Sequence, residues 1–395
     1  MSSATTPPTP PSIRMTVVGV SWPLETFIER LLVGLAARNV EVTLRSRHRP
    51  STAWLRRTGV HWVRGGRMDA ESLRSQLRHN GYVGAARAVG AEVASRLRGG
   101  GDGAPECDVV YVPWLTTLMA DPDLFDLGVP VVTSCRGSLV NVAPWDPGRP
   151  DYRHHLSEVF EQSARVHCVS LDILDRATSL GLDPAKARVI RPAVDPTEFR
   201  ARLSAREDDH PTSVVSVGTL LWLKDLEHAL VGFRRAVDQG ADLRFDVVGD
   251  GPDLQHVRYT VDDLGLSDRV SLLGRLPPDR VAQVLRRADV FLHTSSAEGI
   301  SNAVLEAMAS GLPVITTDAG GMREAVRDGI DGFVVAVRGT DEVARSLVAL
   351  TADGELRRRM GASARARILD GFRLEQQIES FRELLADAVA SGAKR

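Results

Sequence analysis

The sequence predicts an α/β protein with two doubly wound, Rossmann-like domains that face a central cleft. Three observations lead to this prediction. The chain has 395 residues, and at about 150 residues per domain this length suits two domains. Short apolar segments typical of buried strands recur in both halves of the chain, with helical patterns or glycine turns between them. Residues 200–212, RARLSAREDDHPT, are polar without apolar periodicity and separate the two series.

The first series begins with a strand–helix–strand unit. Residues 13–20, IRMTVVGV, read as a buried strand, and residues 27–38 carry apolar side chains on one helical face. Residues 40–44, VEVTL, form the next strand. Such a unit, within about 30 residues, is typical of a parallel sheet. Further strands of this series are predicted at residues 108–112, 130–133, 166–169 and 188–190.

The second series has the same character. Its strands are predicted at residues 213–217, 244–248, 270–273, 290–293 and 313–316, and a helical pattern closes the chain at residues 374–390. The predicted organisation is a disordered tail at 1–12, an N-terminal domain at 13–199, a linker at 200–212, a second domain at 213–373 and a terminal helix at 374–395. Ligands of doubly wound sheets bind at the carboxyl ends of the strands, so functional residues are expected there.

Composition excludes several classes of protein. The net charge of −2 gives no general attraction to nucleic acid. No apolar run is long enough for a membrane-spanning helix, and the start MSSATTPPTPP lacks the layout of a secretion signal. The three cysteines form no CxxC pair and are expected to be reduced core thiols. A cytoplasmic protein is expected, one that can also lie at the inner face of a membrane.

Residues 295–325, SSAEGISNAVLEAMASGLPVITTDAGGMREA, hold the densest functional signal. The predicted strand before them leads into a turn, and Ser301 or Asn302 can cap a helix that ends near residue 310. Free N–H groups and the helix dipole favour an anion at this helix start. Gly299 lets the backbone approach a ligand closely.

Two carboxylates flank this helix start. Glu298 precedes the helix and Glu306 lies eight residues further on, a rise of roughly 12 Å in an α-helix. The pair can therefore bracket a ligand as long as a nucleoside diphosphate sugar, with its phosphates at the amides between them. Spacing alone carries little weight, since two glutamates eight residues apart are common by chance.

The surrounding residues resemble the E-x7-E motif of glycosyltransferase family 4, whose members often read EG(F/I)xNxxLEAMAxGxPVI followed by GGxxE. The matching positions are Glu298, Gly299, Asn302, Leu305, Glu306, Ala307, Met308, Gly311, Pro313, Val314, Ile315, Gly320, Gly321 and Glu324. The resemblance continues in PLETFI at residues 23–28, RVIRPAVDPTEF at 188–199 and FDVVGDGP at 245–252. It implies the glycosyltransferase-B fold, whose terminal helix usually crosses back to the first domain.

The resemblance implies a retaining glycosyltransferase of the hexosyltransferase type. Such an enzyme moves a sugar from a nucleotide diphosphate sugar, here expected to be a UDP-sugar, to an acceptor hydroxyl. Neither a metal nor another cofactor is expected, since no paired-aspartate motif asks for a divalent ion. In the family the leaving diphosphate is thought to help remove the acceptor proton, so the charge on that diphosphate must be stabilised.

The resemblance also assigns roles to individual residues. Glu298 would contact the donor sugar, Glu306 the ribose, and the backbone of residues 299–302 the diphosphate. The expected catalytic residues are Glu298 and Arg136. The expected substrate-binding residues are Gly19, Thr219, Lys224, Arg275, Gly299, Ile300, Ser301, Asn302 and Glu306.

Lys224 matches the lysine of the family's VGRLxxxKGxxxL loop, in a chain where only three of 49 cationic residues are lysines. Its ammonium group suits a phosphate. Thr219 departs from the same motif, which usually has an arginine there, and Arg275 or Arg323 is a candidate replacement. Arg136 departs as well, since the family often has a histidine before the glycine. An arginine stays protonated at neutral pH, so it can hold the diphosphate or an anionic acceptor but cannot act as a base.

The acceptor cannot be identified from the sequence. Residues 45–98 hold twelve arginines against three acids, including predicted helices at 71–79 and 85–98. This excess would attract an anionic acceptor or a membrane surface that carries one, although an ordinary solvated surface explains it equally well. His154, His155 and His293 lack metal-ligand spacing and are interpreted as structural. The alternatives to a transferase are a nucleotide-sugar epimerase of the same fold and a catalytically inactive partner subunit.

Overall fold

The computed structural model describes residues 12–65, 107–202 and 210–392, which form two compact α/β units. The first unit takes its residues from Met1–Cys168, Leu174–Ile190 and Gln377–Arg395. The second takes Val169–Ile173 and Arg191–Gln376. Parts of the predicted tail and linker, residues 1–11 and 203–209, lie outside the described residues, as do both helices predicted between residues 71 and 98.

The first unit is built on a seven-stranded parallel sheet with the order β3-β2-β1-β4-β5-β6-β7. Its strands are β1 (Ile13–Val17), β2 (Val40–Ser46), β3 (His61–Arg64), β4 (Val109–Val112), β5 (Val131–Cys135), β6 (Arg165–Cys168) and β7 (Ala187–Val189). Both central strands β4 and β5 are buried along their whole length, as expected where helices cover both faces of a parallel sheet. The cysteines at positions 107, 135 and 168 are buried and free, as predicted.

Helices connect these strands. They are α1 (Thr26–Ala36), α2 (Thr52–Thr58), α3 (Leu115–Ala120), α4 (Ser138–Asn141), α5 (Tyr152–Gln162) and α6 (Leu171–Ser179). Short 3₁₀ turns cover Pro122–Leu127, Ala143–Trp145 and Pro184–Lys186. The apolar face predicted for α1 is the face that it buries, since Ile28, Leu31, Leu32 and Leu35 are all in the core.

The second unit is built on a six-stranded parallel sheet with the order β10-β9-β8-β11-β12-β13. Its strands are β8 (Thr212–Val217), β9 (Leu243–Val248), β10 (Val270–Gly274), β11 (Val290–His293), β12 (Val314–Thr317) and β13 (Gly332–Val335). Its helices are α7 (Leu226–Asp238), α8 (Leu254–Asp263), α9 (Pro278–Arg287), α10 (Asn302–Ala309), α11 (Met322–Ala325), α12 (Thr340–Ala352) and α13 (Gly354–Gly371), with a 3₁₀ turn at Trp222–Lys224. Two apolar clusters, one on each face of the sheet, form its core.

The last helix, α14 (Leu374–Gly392), begins in the second unit and belongs to the first from Gln377 onward. In the first unit it buries Ile378, Phe381, Leu384, Leu385 and Ala388. Arg188 also forms an ion pair of 2.6 Å with Glu383 on its surface.

The prediction of two Rossmann-like α/β domains is confirmed, and the predicted strands agree with the observed ones to within three residues at each end. Strands β3 and β13 were missed. Each is a four-residue strand at the edge of its sheet. The HWVR segment of β3 is largely exposed, so it lacks the apolar run by which a buried strand is recognised.

Candidate functional site

The candidate site lies in the second unit, at the carboxyl ends of the neighbouring strands β8 and β11. Lys224 closes the 3₁₀ turn that follows β8, and Glu298 lies in the loop that follows β11. The ammonium Nζ of Lys224 donates a hydrogen bond to Oε1 of Glu298. The side chains are 28% and 13% exposed, respectively, so the ion pair is accessible to a ligand but largely removed from water. The structure thus brings together two predicted site residues that are far apart in sequence.

Two further side chains hold the Glu298 carboxylate. His293 Nε2 lies 3.1 Å from Oε1 of Glu298, and the Ser295 hydroxyl donates to the same oxygen over 2.9 Å. Burial alone would raise the pKa of Glu298, but the hydrogen bond from His293 and the charge of Lys224 outweigh burial and hold this pKa at about 2. Glu298 is therefore an anion at any physiological pH, so it can accept hydrogen bonds but cannot act as a general acid.

His293 is a site residue that sequence reasoning missed. Its lack of metal-ligand spacing indicated a structural role, and the structure places its ring against Glu298 and Ser295. Its ring is almost fully buried, and burial lowers its pKa, so the ring is neutral at physiological pH. Its position in the sequence could have indicated this contact, because His293 is the last residue of β11 and precedes Glu298 by five residues. It contacts a carboxylate, as a positioning group does.

The start of α10 lies next to Glu298. Ser301 occupies the N-cap position, as predicted, but its side chain makes no capping hydrogen bond. Its own N–H points to the Met322 sulfur, 3.4 Å away. The first-turn amides of α10 therefore receive no side-chain cap from Ser301 and, with the helix dipole, favour an anion. Glu306 lies on the second turn and is half-buried.

The paired glycines of the GGxxE motif support the Glu298 loop. A Cβ atom at Gly320 would lie 2.0 Å from the carbonyl oxygen of Glu298, and Gly320 has a φ of +59°. The Gly321 N–H donates to the Gly299 carbonyl over 2.8 Å, where a Cβ would also clash. The loop after β12 therefore packs backbone to backbone against the loop after β11, an arrangement that any larger residue would disrupt.

The glutamate of the same motif has a structural position. Glu324 accepts a hydrogen bond of 2.7 Å from the Leu171 backbone N–H. Its other oxygen pairs with Arg191 at 2.7 Å. Both partners belong to the second unit, in the two segments where the chain first enters it. Glu324 therefore ties these segments to α11.

Asp225 stands where the family motif has a glycine after the lysine. Its backbone is left-handed, with a φ of +51°, which suits glycine and is tolerated by aspartate. Its carboxylate accepts from the Ser296 hydroxyl over 2.9 Å and pairs with His228. Arg338 approaches the same carboxylate to 3.8 Å. Asp225 thus forms a second link, beside the Lys224–Glu298 pair, between the loops that follow β8 and β11.

The structure does not bring the remaining predicted residues of the second unit into this network. Thr219 is exposed in the loop after β8, and Arg275 is exposed directly after β10. Arg323 forms an ion pair of 2.8 Å with Asp318. In the described part of the chain, none of these three side chains forms a hydrogen bond or ion pair with Lys224.

Gly19 and Arg136 belong to the first unit. Gly19 follows β1 with a φ of +79°, and Arg136 follows the last residue of β5. The Arg136 guanidinium stacks on the ring of Phe27, with 4.6 Å from its carbon to the ring centroid. Both residues thus occupy the carboxyl edge of the first sheet.

The described residues contain neither a metal-binding cluster nor a helix suited to span a membrane. Within residues 12–65, 107–202 and 210–392, no group of three histidine, cysteine or acidic side chains is arranged to hold a metal ion. No helix in the same ranges is both long and apolar enough to cross a membrane. Arg74, Arg78 and Arg87, which represent the arginine-rich stretch, lie outside the described residues.

Comparison with known proteins supports the motif assignments. A family model described as "Glycosyl transferases group 1" matches residues 198–367, and one described as "Glycosyltransferase Family 4" matches residues 24–198. The chain is 27% identical over 267 residues to N-acetyl-alpha-D-glucosaminyl L-malate synthase of Bacillus anthracis, covering 66% of this chain and 68% of that protein. It is 30% identical over 245 residues to the lipopolysaccharide core biosynthesis glycosyltransferase LpsE of Rhizobium meliloti, covering 60% of this chain and 68% of that protein.

Other curated relatives match over about half of their own length. One is the D-inositol 3-phosphate glycosyltransferase of Nocardia farcinica, 36% identical over 198 residues, which are 47% of this chain and 44% of that protein. Among solved structures, Anabaena HepE in complex with UDP and glucose aligns with a TM-score of 0.73 at 17% identity, over 95% of this chain and 99% of that one. The chain therefore belongs to the family 4 glycosyltransferases and has their two-domain glycosyltransferase-B type of fold.

Proposed function

We propose that this glycosyltransferase is a retaining enzyme that transfers a hexose from a UDP-sugar to an acceptor hydroxyl without a metal ion. The observation that carries the proposal is the Lys224–Glu298 ion pair beside the start of α10. A cation, an anion and a helix start without a side-chain cap therefore lie together at one edge of the sheet. A nucleotide sugar needs these groups, because its phosphates are anions and its sugar hydroxyls are donors.

In this proposal, Lys224 and Glu298 bind different parts of the sugar donor. Lys224 binds the diphosphate together with the backbone of Gly299, Ile300, Ser301 and Asn302, and Glu298 accepts hydrogen bonds from the sugar hydroxyls. Glu306, further along α10, accepts from the ribose. Support comes from the position of these residues at the carboxyl ends of two adjacent strands, where doubly wound sheets bind ligands.

The catalytic step needs stabilisation of the leaving diphosphate. The Lys224 ammonium and the α10 amides supply fixed positive charge where that negative charge develops. Glu298 remains an anion, since its pKa is about 2, and can support positive charge on the anomeric carbon. The proton of the acceptor hydroxyl goes to the leaving diphosphate on the same face of the sugar, which retains the anomeric configuration.

Metal independence belongs to the same proposal. A divalent ion usually neutralises a leaving diphosphate, and here the lysine and the helix start supply that charge. We expect transfer or donor hydrolysis to be unchanged by EDTA. A preparation that EDTA inactivates and that magnesium or manganese restores would contradict this part of the proposal.

The choice of uridine is supported by the HepE complex, which contains UDP and glucose. Gly19, Thr219 and Arg275 are proposed to complete the donor site. The choice of uridine is tested by the shift in melting temperature that the diphosphates of uridine, guanosine, adenosine and thymidine cause. UDP is expected to raise the melting temperature most. A larger shift with another nucleoside diphosphate would identify that nucleotide as the donor's.

An anionic acceptor is proposed on two grounds. The names of two relatives include L-malate and D-inositol 3-phosphate, which are both anions. The arginine excess of residues 45–98 would attract such molecules or an anionic membrane surface. A cytoplasmic enzyme, able to work at the inner face of a membrane, is part of this proposal.

Thr219 favours a second candidate, an inactive partner subunit. It replaces an arginine of the family motif, and it is exposed in the loop after β8. Donor hydrolysis separates the candidates. Purified chain that binds a nucleotide sugar but neither hydrolyses nor transfers it would favour the inactive subunit.

A further inference from the structure

A chain of hydrogen bonds runs through the core of the first unit and ends at Arg136. His167 Nε2 lies 2.7 Å from the Ile190 carbonyl oxygen, and its Nδ1 lies 2.8 Å from Ser134 Oγ. Ser134 Oγ lies 2.9 Å from the Tyr111 hydroxyl, which in turn lies 3.4 Å from Arg136 Nη2. Tyr111, Ser134 and His167 have no exposed surface and lie on the adjacent strands β4, β5 and β6. We call these three residues the buried relay.

The relay has only one arrangement of protons. A carbonyl oxygen can only accept, so His167 Nε2 carries a proton and donates to Ile190. Burial lowers the pKa of His167 to about 3, so the ring is neutral and its Nδ1 must accept from Ser134. Ser134 Oγ then accepts from the Tyr111 hydroxyl. The lone pairs of the Tyr111 oxygen are left to accept from the Arg136 guanidinium.

The guanidinium of Arg136 is held on its flat face as well. It stacks on Phe27, whose ring makes an edge contact with Trp114 at 6.1 Å between centroids. Its Nε is buried and has no hydrogen-bond partner in the described residues. No carboxylate of those residues lies within ion-pair distance of it. Burial raises the pKa of Glu25, and the charge of Arg136 opposes this rise only in part.

Among the residues that the structure describes, this half-buried cation has no ion-pair partner, which is costly because burial removes water without supplying a close counter-charge. We propose that Arg136 is the anion-binding residue of the first unit, that the buried relay positions it, and that the group it binds is a phosphoryl group. Arginine presents paired N–H donors that fit phosphate oxygens. The inference rests on the proposed function for its place in the reaction, since the phosphoryl group belongs either to the acceptor or to the sugar donor.

The test measures binding of inorganic phosphate to the full-length chain at low ionic strength by calorimetry. Each titration is made with and without a saturating nucleoside diphosphate, chosen as the one that raises the melting temperature most. The variants are Arg136→Gln, Tyr111→Phe and Ser134→Ala. Thr133→Val is the matched control, because it removes a fully buried hydroxyl from the same strand, one that bonds to the Val112 carbonyl and not to the relay.

We expect Arg136→Gln to weaken phosphate binding at least tenfold. Tyr111→Phe and Ser134→Ala should weaken it about threefold to fivefold, and Thr133→Val should not change it. A purely structural relay would alter the melting temperature of all three hydroxyl variants alike and leave phosphate affinity unchanged. That result, or a phosphate affinity in Arg136→Gln equal to that of the parent, would overturn the proposal.

The two arms identify the source of the phosphoryl group. Arg136-dependent phosphate binding that persists with the nucleotide bound assigns the group to the acceptor. Phosphate binding that the nucleotide abolishes, together with a tenfold weaker nucleotide affinity in Arg136→Gln, assigns it to the donor. Failure of the proposed function looks different, because the chain would then bind no nucleoside diphosphate while its response to phosphate could still depend on Arg136.

Discussion

The hydroxyl group of Ser295 donates a hydrogen bond of 2.9 Å to Glu298, and the backbone carbonyl oxygen of Ser295 accepts one from the Thr317 hydroxyl. The carboxylate of the candidate site is therefore tied to β12 through a single buried residue. Glu298 is held by its neighbours before any donor arrives. This preorganisation is the basis of the predictions for the site.

Glu298→Gln should lower turnover far more than nucleotide affinity. The amide keeps the shape of the side chain but loses the negative charge beside the sugar. We expect donor turnover to fall on the order of 100-fold, as for other preorganised electrostatic groups. Calorimetric affinity for the free nucleoside diphosphate should fall less than threefold. Equal losses in both measurements would make Glu298 a general binding residue.

Glu306→Ala should weaken binding of the free nucleoside diphosphate. The ribose hydroxyls would lose a charged acceptor, which is worth about 1.5–3 kcal/mol, or roughly a tenfold to hundredfold change in affinity. Glu355→Ala is the control, since Glu355 is an exposed helical glutamate paired with Arg358. A Glu306 variant that binds as tightly as the Glu355 variant would remove the ribose role.

Gly320→Ala should impair the site through its effect on Glu298. The added Cβ would meet the Glu298 carbonyl oxygen at 2.0 Å and push the loop away. Gly329→Ala is a matched control, because Gly329 also has a positive φ, +71°, but has open space around it. Both variants should lose about 1–2 kcal/mol of unfolding free energy from the left-handed backbone, and the clash adds to this loss in Gly320→Ala. Only Gly320→Ala should lose more than tenfold in turnover, and similar turnover in the two variants would contradict the packing argument.

Stability below neutral pH should depend on His167. Its pKa of about 3 lies below the unfolded value of 6.5, so the unfolded chain binds the proton more readily. The resulting stability is complete above pH 6.5 and is lost as the pH falls towards 3, with a slope approaching about 1.4 kcal/mol per pH unit. His293 acts in the same direction, and Asp121, with a pKa raised to about 6, acts in the opposite one.

The measurement is urea unfolding at pH 7 and pH 5 for the parent and His167→Gln. The variant should show a smaller loss of stability between the two values, because the contributions of His293 and Asp121 cancel in the comparison. His154→Gln is the control, since His154 is an exposed residue of α5. Identical pH dependence in the parent and the His167 variant would mean that folding does not lower the pKa of His167.

The central part of the site could be predicted from the sequence because its geometry is local. The strand 290–293, the helix from Asn302 and the eight-residue spacing of Glu298 and Glu306 all follow from periodicity and capping. The family motif assigns Lys224 and Glu298 to one donor site, but their direct contact was not predicted. The pairing of β8 with β11 explains this contact, because it places the two loops at one edge.

Other parts could not be predicted, because they depend on which strands are neighbours. The buried relay joins β4, β5 and β6. Ser134 lies beside His167 because of the register between β5 and β6, which the sequence does not reveal. The contact of His293 with Glu298 was not predicted for the same reason, since Glu298 lies in a loop that folds back on His293. The role of Asp225 depends on its left-handed backbone. This conformation is usually predicted from a glycine, and the sequence has none at that position.

The most direct test of the account follows the fate of the sugar. The purified chain is incubated with UDP-hexoses, and release of UDP and the configuration of the freed or transferred sugar are followed by NMR. We expect UDP release, the α anomer as the first product of a UDP-α-hexose, and at least a 100-fold loss in Lys224→Gln. A β anomer as the first product, or release of UDP that is unaffected by loss of Lys224, would contradict the account.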